Sequence, residues 1–146
     1  SGCLSKGNDI ASALQMGADI AYMGTRFINI KESQAEQNYK DMIMRSGAED
    51  IVYTAAVSGV NASFLRPSLE AMGITEEQWK DTKKIDFGNT SDLAESEAKA
   101  WKTIWSAGQG VSAITDSPKV TDLVLQLKSE FIEAVESQKK LLDLYS

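Results

Sequence analysis

The sequence predicts an α/β chain that opens on successive β/α units of a parallel sheet or barrel. Three observations lead there. Glycine-bearing corners at Gly2 and Gly24 are separated by one helix and one short apolar run, the length of a single β/α crossover. That run, Ile20-Ala21-Tyr22-Met23, has the continuous apolar character of a parallel strand buried on both faces. From Val120 onward, apolar residues recur at helical spacing for about 25 positions, long enough to lie across another layer of structure.

Consecutive parallel strands place their following loops side by side at the carboxyl edge. Backbone N–H groups and a helix N-terminus can hold a phosphate between two such loops. In (β/α)8 barrels the cup is frequently built after the last two strands. A cofactor phosphate is therefore expected between Gly2 and Gly24, and the strand feeding the first loop is expected upstream of Ser1.

The elements follow in order. Asn8 or Asp9 is expected to cap a helix with Ile10, Ala13 and Leu14 on one face and Gly17 at its end. The strand Ile20–Met23 comes next. Gly24 then allows close backbone approach to a ligand, and Thr25 adds a hydroxyl. The alternative is a tight turn that needs glycine for its dihedrals. Arg26 suits a phosphate counter-charge or a structural ion pair equally well, while Lys6 reads as a solvated loop charge. Ser33-Gln34-Ala35-Glu36 is a capping box for a helix with Ala35, Tyr39, Met42 and Ile43 inward and Gly47 at its end.

From Ile51 to Val57 the pattern is strand-like, and Ser58-Gly59-Val60-Asn61 is a turn. Pro67 opens a short helix ending at Gly73, and Thr75-Glu76-Glu77-Gln78 is a second capping box, for a helix carrying Trp79. The polar stretch 80–89 reads as loop. A helix from about Asp92 aligns Ala94, Ala98, Trp101 and Trp105, and stops at Ser106-Ala107-Gly108-Gln109-Gly110-Val111. Ser117 as N-cap and Pro118 at the first helical position start the last helix. Its stripe is Val120, Leu123, Val124, Leu127, Phe131, Ala134, Val135, Leu141 and Leu142, with Lys128, Glu130, Glu133 and Lys139 on a solvated face. A barrel wall or a second subunit, as in a homodimer, would cover that stripe.

The bulk properties narrow the function. The 146 residues carry a net charge of −6 without a basic cluster, which argues against nucleic-acid and anionic-membrane partners. One cysteine, Cys3, excludes an internal disulfide and a cysteine-based metal cluster, and suits a reducing, cytoplasmic setting. No charged-then-apolar leader is seen, so no signal peptide is expected. With no histidine in the chain, Ser-His and Cys-His catalysis and His-ligated metal sites are excluded for these residues.

Several segments closely resemble the C-terminal part of nitronate monooxygenases, formerly called 2-nitropropane dioxygenases. They are Gly2-Cys3-Leu4 leading to Gly7, Ala11 through Asp19, and Met23-Gly24-Thr25-Arg26-Phe27. The likeness continues through Ser58-Gly59-Val60, Phe64-Leu65-Arg66-Pro67-Ser68, and Ile104 through Val111. The first segments are shared with other FMN barrels, including flavin-type enoyl-ACP reductases; the later two are more specific.

The resemblance implies a flavoprotein oxidoreductase, an FMN-binding (β/α)8 barrel with a small appended domain. Such enzymes oxidise alkyl nitronates, some also nitroalkanes, with dioxygen and no metal. It implies FMN-phosphate contacts from Gly2 and Cys3 after strand seven, and from Tyr22, Met23, Gly24 and Thr25 at strand eight. Ser106, Gly108, Gln109 and Gly110 would lie near flavin and substrate. Residues 1–48 would be the last barrel units, 49–116 a smaller α+β domain with loop 106–110, and 117–146 a helix packing back on the barrel.

There are departures from the family pattern. Gly usually stands at the position of Cys3, and often Gln at that of Tyr22. A cysteine is tolerable if its φ is negative, but a positive φ would strain it and weaken phosphate binding. The family's catalytic histidine lies on earlier strands, so no catalytic residue is expected here. These residues read as one piece of a larger protein whose remaining barrel is their partner. Alone they are expected to bind FMN weakly or not at all, and to be inactive. The alternatives are an FMN-dependent enoyl-ACP reductase and a non-catalytic binding or assembly module.

Overall fold

The computed structural model describes residues 2–81 and 103–145. The chain divides into two compact units, one from 1–44 with 110–146 and the other from 45–109.

In the first unit, helix α1 (Gly7–Gln15) has Lys6 as its N-cap, not Asn8 or Asp9. Asp9 works from inside the first turn, where its carboxylate accepts the amide hydrogens of Ser5 at 2.8 Å and Lys6 at 2.9 Å. The helix ends at Gly17 as expected, with Gly17 N–H on the Leu14 carbonyl and Ala18 N–H on that of Ala13.

The run Ile20–Met23 is not a strand: Ile20 is 82% and Tyr22 68% exposed, and only Met23 packs inward. A strand needs a ladder partner for its backbone groups. Among the described residues the only sheet is an antiparallel pair in the other unit.

After the short helix α2 (Thr25–Ile28), helix α3 spans Gln37–Arg45 and starts on the Glu36 carbonyl, which accepts from Tyr39 and Lys40. The Ser33 box does not form, because the Ser33 hydroxyl accepts the nearby Ala35 N–H at 3.2 Å instead. Ile43 is fully buried, as its place on the inward face predicts. Lys40 is buried too, its ammonium donating to the carbonyls of Ile30 (2.7 Å) and Ser33 (2.9 Å).

The last helix of the described chain, α6, spans Val120–Leu144, 25 residues or about 37 Å. Its N-cap is Lys119, two residues after the expected Ser117. The Pro118 carbonyl is taken by Lys31 N–H at 2.9 Å, which keeps the chain out of the helix until Lys119. Glu32 then supplies the cap from a distance, accepting Val120 N–H at 3.0 Å.

Leu123 and Leu127 of α6 form a core with Ile30, and Ile10, Met23, Phe27 and Val120 pack against it. Each buried leucine contributes roughly 1.5–3 kcal/mol. Gly7 lets α1 meet α6 closely, since a Cβ there would lie 2.1 Å from the Leu127 carbonyl oxygen. The stripe is only partly covered: Val124, Leu141 and Leu142 are exposed. Glu130, expected on the solvated face, instead accepts the Gly7 amide hydrogen at 2.6 Å.

In the second unit, strands β1 (Ile51–Thr54) and β2 (Ala62–Leu65) pair antiparallel in the register Ile51 to Leu65 and Thr54 to Ala62. The strand expected to reach Val57 stops at Thr54. There the threonine hydroxyl accepts Ala56 N–H (3.0 Å) and donates to the Trp79 carbonyl (2.7 Å), turning the chain.

Helix α4 (Arg66–Ala71) carries Pro67 in its first turn. Helix α5 (Glu76–Lys80) starts at the predicted capping box, Thr75 N–H donating to Gln78 Oε1 at 2.8 Å. Val57, Phe64, Leu69, Ile74 and Ile104 make the core, with Val52, Ala62 and Trp79 against it. The helix predicted from Asp92, with Ala94, Ala98 and Trp101, and the loop at 82–89 lie outside the described residues. Trp105 is not helical: its carbonyl accepts Leu65 N–H at 2.8 Å and its N–H donates to the Ser68 hydroxyl at 3.0 Å.

Candidate cofactor site

The first corner begins with two left-handed residues, Gly2 at φ +91° and Cys3 at φ +55°. Cys3 is the one non-glycine residue with positive φ among those described. The left-handed conformation costs an L-residue about 1–2 kcal/mol. Glycine at this position would remove that strain, which accounts physically for the usual family residue. The condition set by the sequence is thus met in its unfavourable sense. Both residues are exposed, and a Cβ on Gly2 would meet nothing within 4 Å.

Further along the loop, carboxylates already hold the backbone. Asp9 takes the Ser5 and Lys6 amides and Glu130 takes that of Gly7. An anion approaching α1 along its axis would meet two like charges. Lys6 is exposed, in keeping with a solvated loop charge.

At the second corner, Met23 packs into the Leu123–Leu127 core while Tyr22 stands out from the surface. Gly24 is the N-cap of α2, its carbonyl accepting from Phe27 at 3.0 Å and Ile28 at 3.3 Å. Its φ of −98° and ψ of −72° lie in a region open to any residue, and a Cβ there would meet nothing within 4 Å. Neither dihedral strain nor packing among the described residues calls for glycine, so the tight-turn explanation fails. Thr25, half-buried, is the first helical residue.

Arg26 resolves to a structural ion pair. It is 3% exposed, with its guanidinium 2.8 Å from the Asp116 carboxylate and a second bond, at 3.3 Å, to the Asp116 carbonyl. Asn29, fully buried, donates to the same carbonyl at 2.7 Å, while its Oδ1 is the one buried side-chain atom without a partner among the described residues. With its charge matched by Asp116, Arg26 anchors the chain ahead of α6.

The four residues expected near the substrate are divided. Ser106, exposed and bridged to Phe64, belongs with Gly108 and Gln109 to the second unit, while Gly110 belongs to the first. Gly110 lies in a 3-10 turn, Gln109–Ala113, and its carbonyl accepts the Ser5 hydroxyl at 2.8 Å. A Cβ on Gly110 would fall 2.6 Å from Ser5 Oγ and 3.1 Å from the Cys3 carbonyl carbon. Gly110 is thus brought to the first corner.

Residues missed from sequence include Ser5, Asn29, Glu32, Lys40, Asp116 and Glu130. Asp9 at the third position after Lys6 carried a local capping signal. Lys40 acts on carbonyls seven and ten residues away, and the others act across 87 residues or more; none left a local signal.

A glycine loop runs into one helix, a glycine corner into a second, and a long helix packs closely on the first; the likeness of this arrangement to solved structures gives the class, an α/β chain forming the C-terminal part of a (β/α)8 barrel with a small, mainly helical appended portion. FabK from Thermotoga maritima matches 96% of this chain with a TM-score of 0.72 and 26% identity, over 45% of its own length. Nitroalkane oxidase from Streptomyces ansochromogenes matches 93% with a TM-score of 0.65 and 28% identity, over 39% of its length.

In sequence, the chain is 28% identical over 145 residues to a nitronate monooxygenase of Paraburkholderia phytofirmans, matching 95% of the chain and 39% of that protein. It is 27% identical over 108 residues to nitronate monooxygenase npaC of Metarhizium robertsii, matching 71% of the chain and 30% of that protein. The chain thus matches between 30% and 39% of the length of these curated relatives. The model of the nitronate monooxygenase family matches residues 1–130, and the chain belongs to that family of oxidoreductases. No helix among the described residues is long and apolar enough to cross a membrane.

Proposed function

We propose that this chain supplies the FMN-phosphate corner and part of the substrate pocket of an enzyme that oxidises alkyl nitronates, and as a further class nitroalkanes, with dioxygen. The observation that carries the reading is Gly24, a glycine that neither its dihedrals nor its neighbours require, facing open space in a family of oxidoreductases. Close approach of a ligand explains the missing side chain. At Gly2 the positive φ already accounts for glycine, and the open space beside it leaves room for the same ligand, so the residues fit the group.

FMN, when bound, supplies the electron-transfer chemistry. The chain's own residues bind and orient. Gly2 and Cys3 offer main chain on one side, because Asp9 and Glu130 commit the amides from Ser5 to Gly7. Gly24 offers main chain on the other side, and Thr25 a hydroxyl. Met23 fixes that corner to the core and Tyr22 presents an exposed ring beside it. Ser106, Gly108, Gln109 and Gly110 contribute to the pocket around the substrate.

The base that handles the substrate proton is a histidine elsewhere in the protein, since this chain has none. On this reading residues 1–48 are barrel, 49–116 the smaller domain, and 117–146 the helix that returns to the barrel. The exposed part of the α6 stripe is then covered by the barrel wall or by a second copy in a homodimer. The setting is cytoplasmic.

The test uses the protein with its preceding barrel strands. A flavin absorbance band that survives desalting and nitronate-dependent oxygen consumption are expected. A colourless protein would defeat the cofactor assignment. Reduction of an enoyl thioester by NAD(P)H without nitronate turnover would support the second reading, an enoyl-ACP reductase, for which the shared first glycine segments speak. A flavin-free chain that assembles with other subunits would point to the binding-module alternative.

A further inference from the structure

We infer that Gly110 also serves the cofactor side: it is the fixed support on which the Gly2–Lys6 loop rests, with Ser5 as the positioning residue that joins the two. This rests on the FMN reading above, but the contact itself is independent of it.

The backbone of the loop is not one that all its residues favour. Gly2 and Cys3 are both left-handed, and Cys3 does not favour that conformation. Such backbone persists where the surroundings over-determine it. Two supports are visible. Asp9 fixes the downstream end through the Ser5 and Lys6 amides. The other support comes from 105 residues away, where the buried Ser5 hydroxyl donates to the Gly110 carbonyl at 2.8 Å.

The support is rigid because its own roots are buried. Val111 is 0% and Ile114 1% exposed, and Ile114 N–H closes the turn on the Val111 carbonyl at 2.9 Å. It is also tight. A methyl group on Gly110 would sit 3.1 and 3.2 Å from Cys3 backbone carbons and 2.6 Å from Ser5 Oγ, so the loop would have to give way. Gly110 is glycine because the backbone of Cys3 passes over it.

The shape of the Cys3 corner is therefore set partly by residue 110. A ligand gripping Gly2 and Cys3 should stiffen the turn at 110–113, and disturbing that turn should loosen the ligand. Substitution at Ser5 removes the join without crowding; substitution at Gly110 removes it and displaces the loop.

The experiment is FMN titration by flavin fluorescence on the protein carrying its preceding strands, with amide hydrogen exchange of segments 2–5 and 110–113 in the presence and absence of FMN. In the wild type, FMN should slow exchange in both segments. Ser5→Ala should keep FMN-linked protection of 2–5, lose it at 110–113, and weaken FMN binding several-fold. Gly110→Ala should weaken FMN binding at least tenfold, with an unchanged far-UV spectrum showing that it folds. Ser5→Thr, which keeps the hydroxyl, should restore protection at 110–113.

Wild-type affinity in Gly110→Ala, or undiminished protection of 110–113 in Ser5→Ala, would overturn the inference while leaving the cofactor reading intact. Failure of the wild type to retain flavin is a different outcome, visible before any variant is made, and it would remove both.

Discussion

The two units solve the same folding problem differently. The second closes on itself: a two-stranded hairpin, two short helices and the segment at 104–106 enclose Val57, Phe64, Leu69, Ile74 and Ile104. Among its described residues only Tyr53, Val60 and Met72 are large, apolar and exposed. The first unit leaves much more uncovered. Met16, Ile20, Tyr22, Val124, Leu125, Leu142 and Leu144 are each at least half exposed. Asn29 Oδ1 apart, its buried side-chain polar groups among the described residues are nevertheless matched, with Glu32, Asp116 and Glu130 each reaching across the sequence to a backbone or guanidinium partner. The contrast teaches that hydrogen-bond order and apolar coverage are separable. One unit has both among its own residues; the other has the first and awaits the second.

The largest effects should come from breaking the closed unit. Phe64→Ala and Leu69→Ala, both buried to within 1%, should each cost about 3–5 kcal/mol in chemical denaturation. Leu125→Ala and Leu142→Ala, on the uncovered face of α6, should stay within about 0.5 kcal/mol in the isolated chain. If the α6 variants become costly once the preceding strands are attached, the comparison is sharpened: that face is covered in the longer protein.

Next in size is Asp116→Asn, which strands the buried Arg26 guanidinium. It should cost about 2 kcal/mol, below the value for a fully buried pair because Asp116 is itself half exposed. A loss of FMN affinity without a loss of stability would return Arg26 to the phosphate.

Cys3→Gly should gain about 0.5–1 kcal/mol by relieving the left-handed strain, and Cys3→Val should lose stability, as thermal melts would record. Gly24→Ala should leave the melting temperature within a degree or two, its backbone being unstrained, while lowering FMN affinity. Equal retention of flavin by that variant would argue against the corner.

The smallest effect concerns Glu76. Its hydrogen bond and charge attraction with Lys80 hold its carboxyl below the ordinary glutamate value. A carboxyl depressed in the folded state adds stability above its unfolded pKa, and loses it as the pH falls through the folded one. The pair is solvent-exposed, so Glu76→Gln should flatten the acid limb of a stability–pH curve only slightly.

What the sequence made legible was local. The Thr75–Gln78 box, the Gly17 helix end and the turn at Ser58–Val60 are each written within a few residues, the length of α6 in the stripe along the helix itself, and each is found. Two local signals were outcompeted. Ser33 spent its hydroxyl on Ala35, and Ser117 lost the cap because Pro118 is held by Lys31. The misread strand at Ile20–Met23 has another cause, for an apolar run becomes a strand only when a neighbour supplies the ladder.

At the site, the glycine corners are readable as motifs, and Cys3 stands out in the sequence as the non-glycine residue of the first. The link from Ser5 to Gly110 was not readable, because nothing in a serine or a glycine reports a partner 105 positions away. Nor was the fate of Arg26, since the same sequence suits either partner until Asp116 is brought beside it.

Lys40 carries a practical consequence. Its amine is enclosed by two main-chain oxygens, whereas Lys6, Lys31, Lys80, Lys119, Lys128, Lys139 and Lys140 all reach the surface. Among the described residues, brief treatment with an acylating reagent should therefore modify those lysines quickly and spare Lys40, so the appearance of a mass tag at position 40 would be a chemical alarm that the loop from Ile30 to Ser33 has come undone.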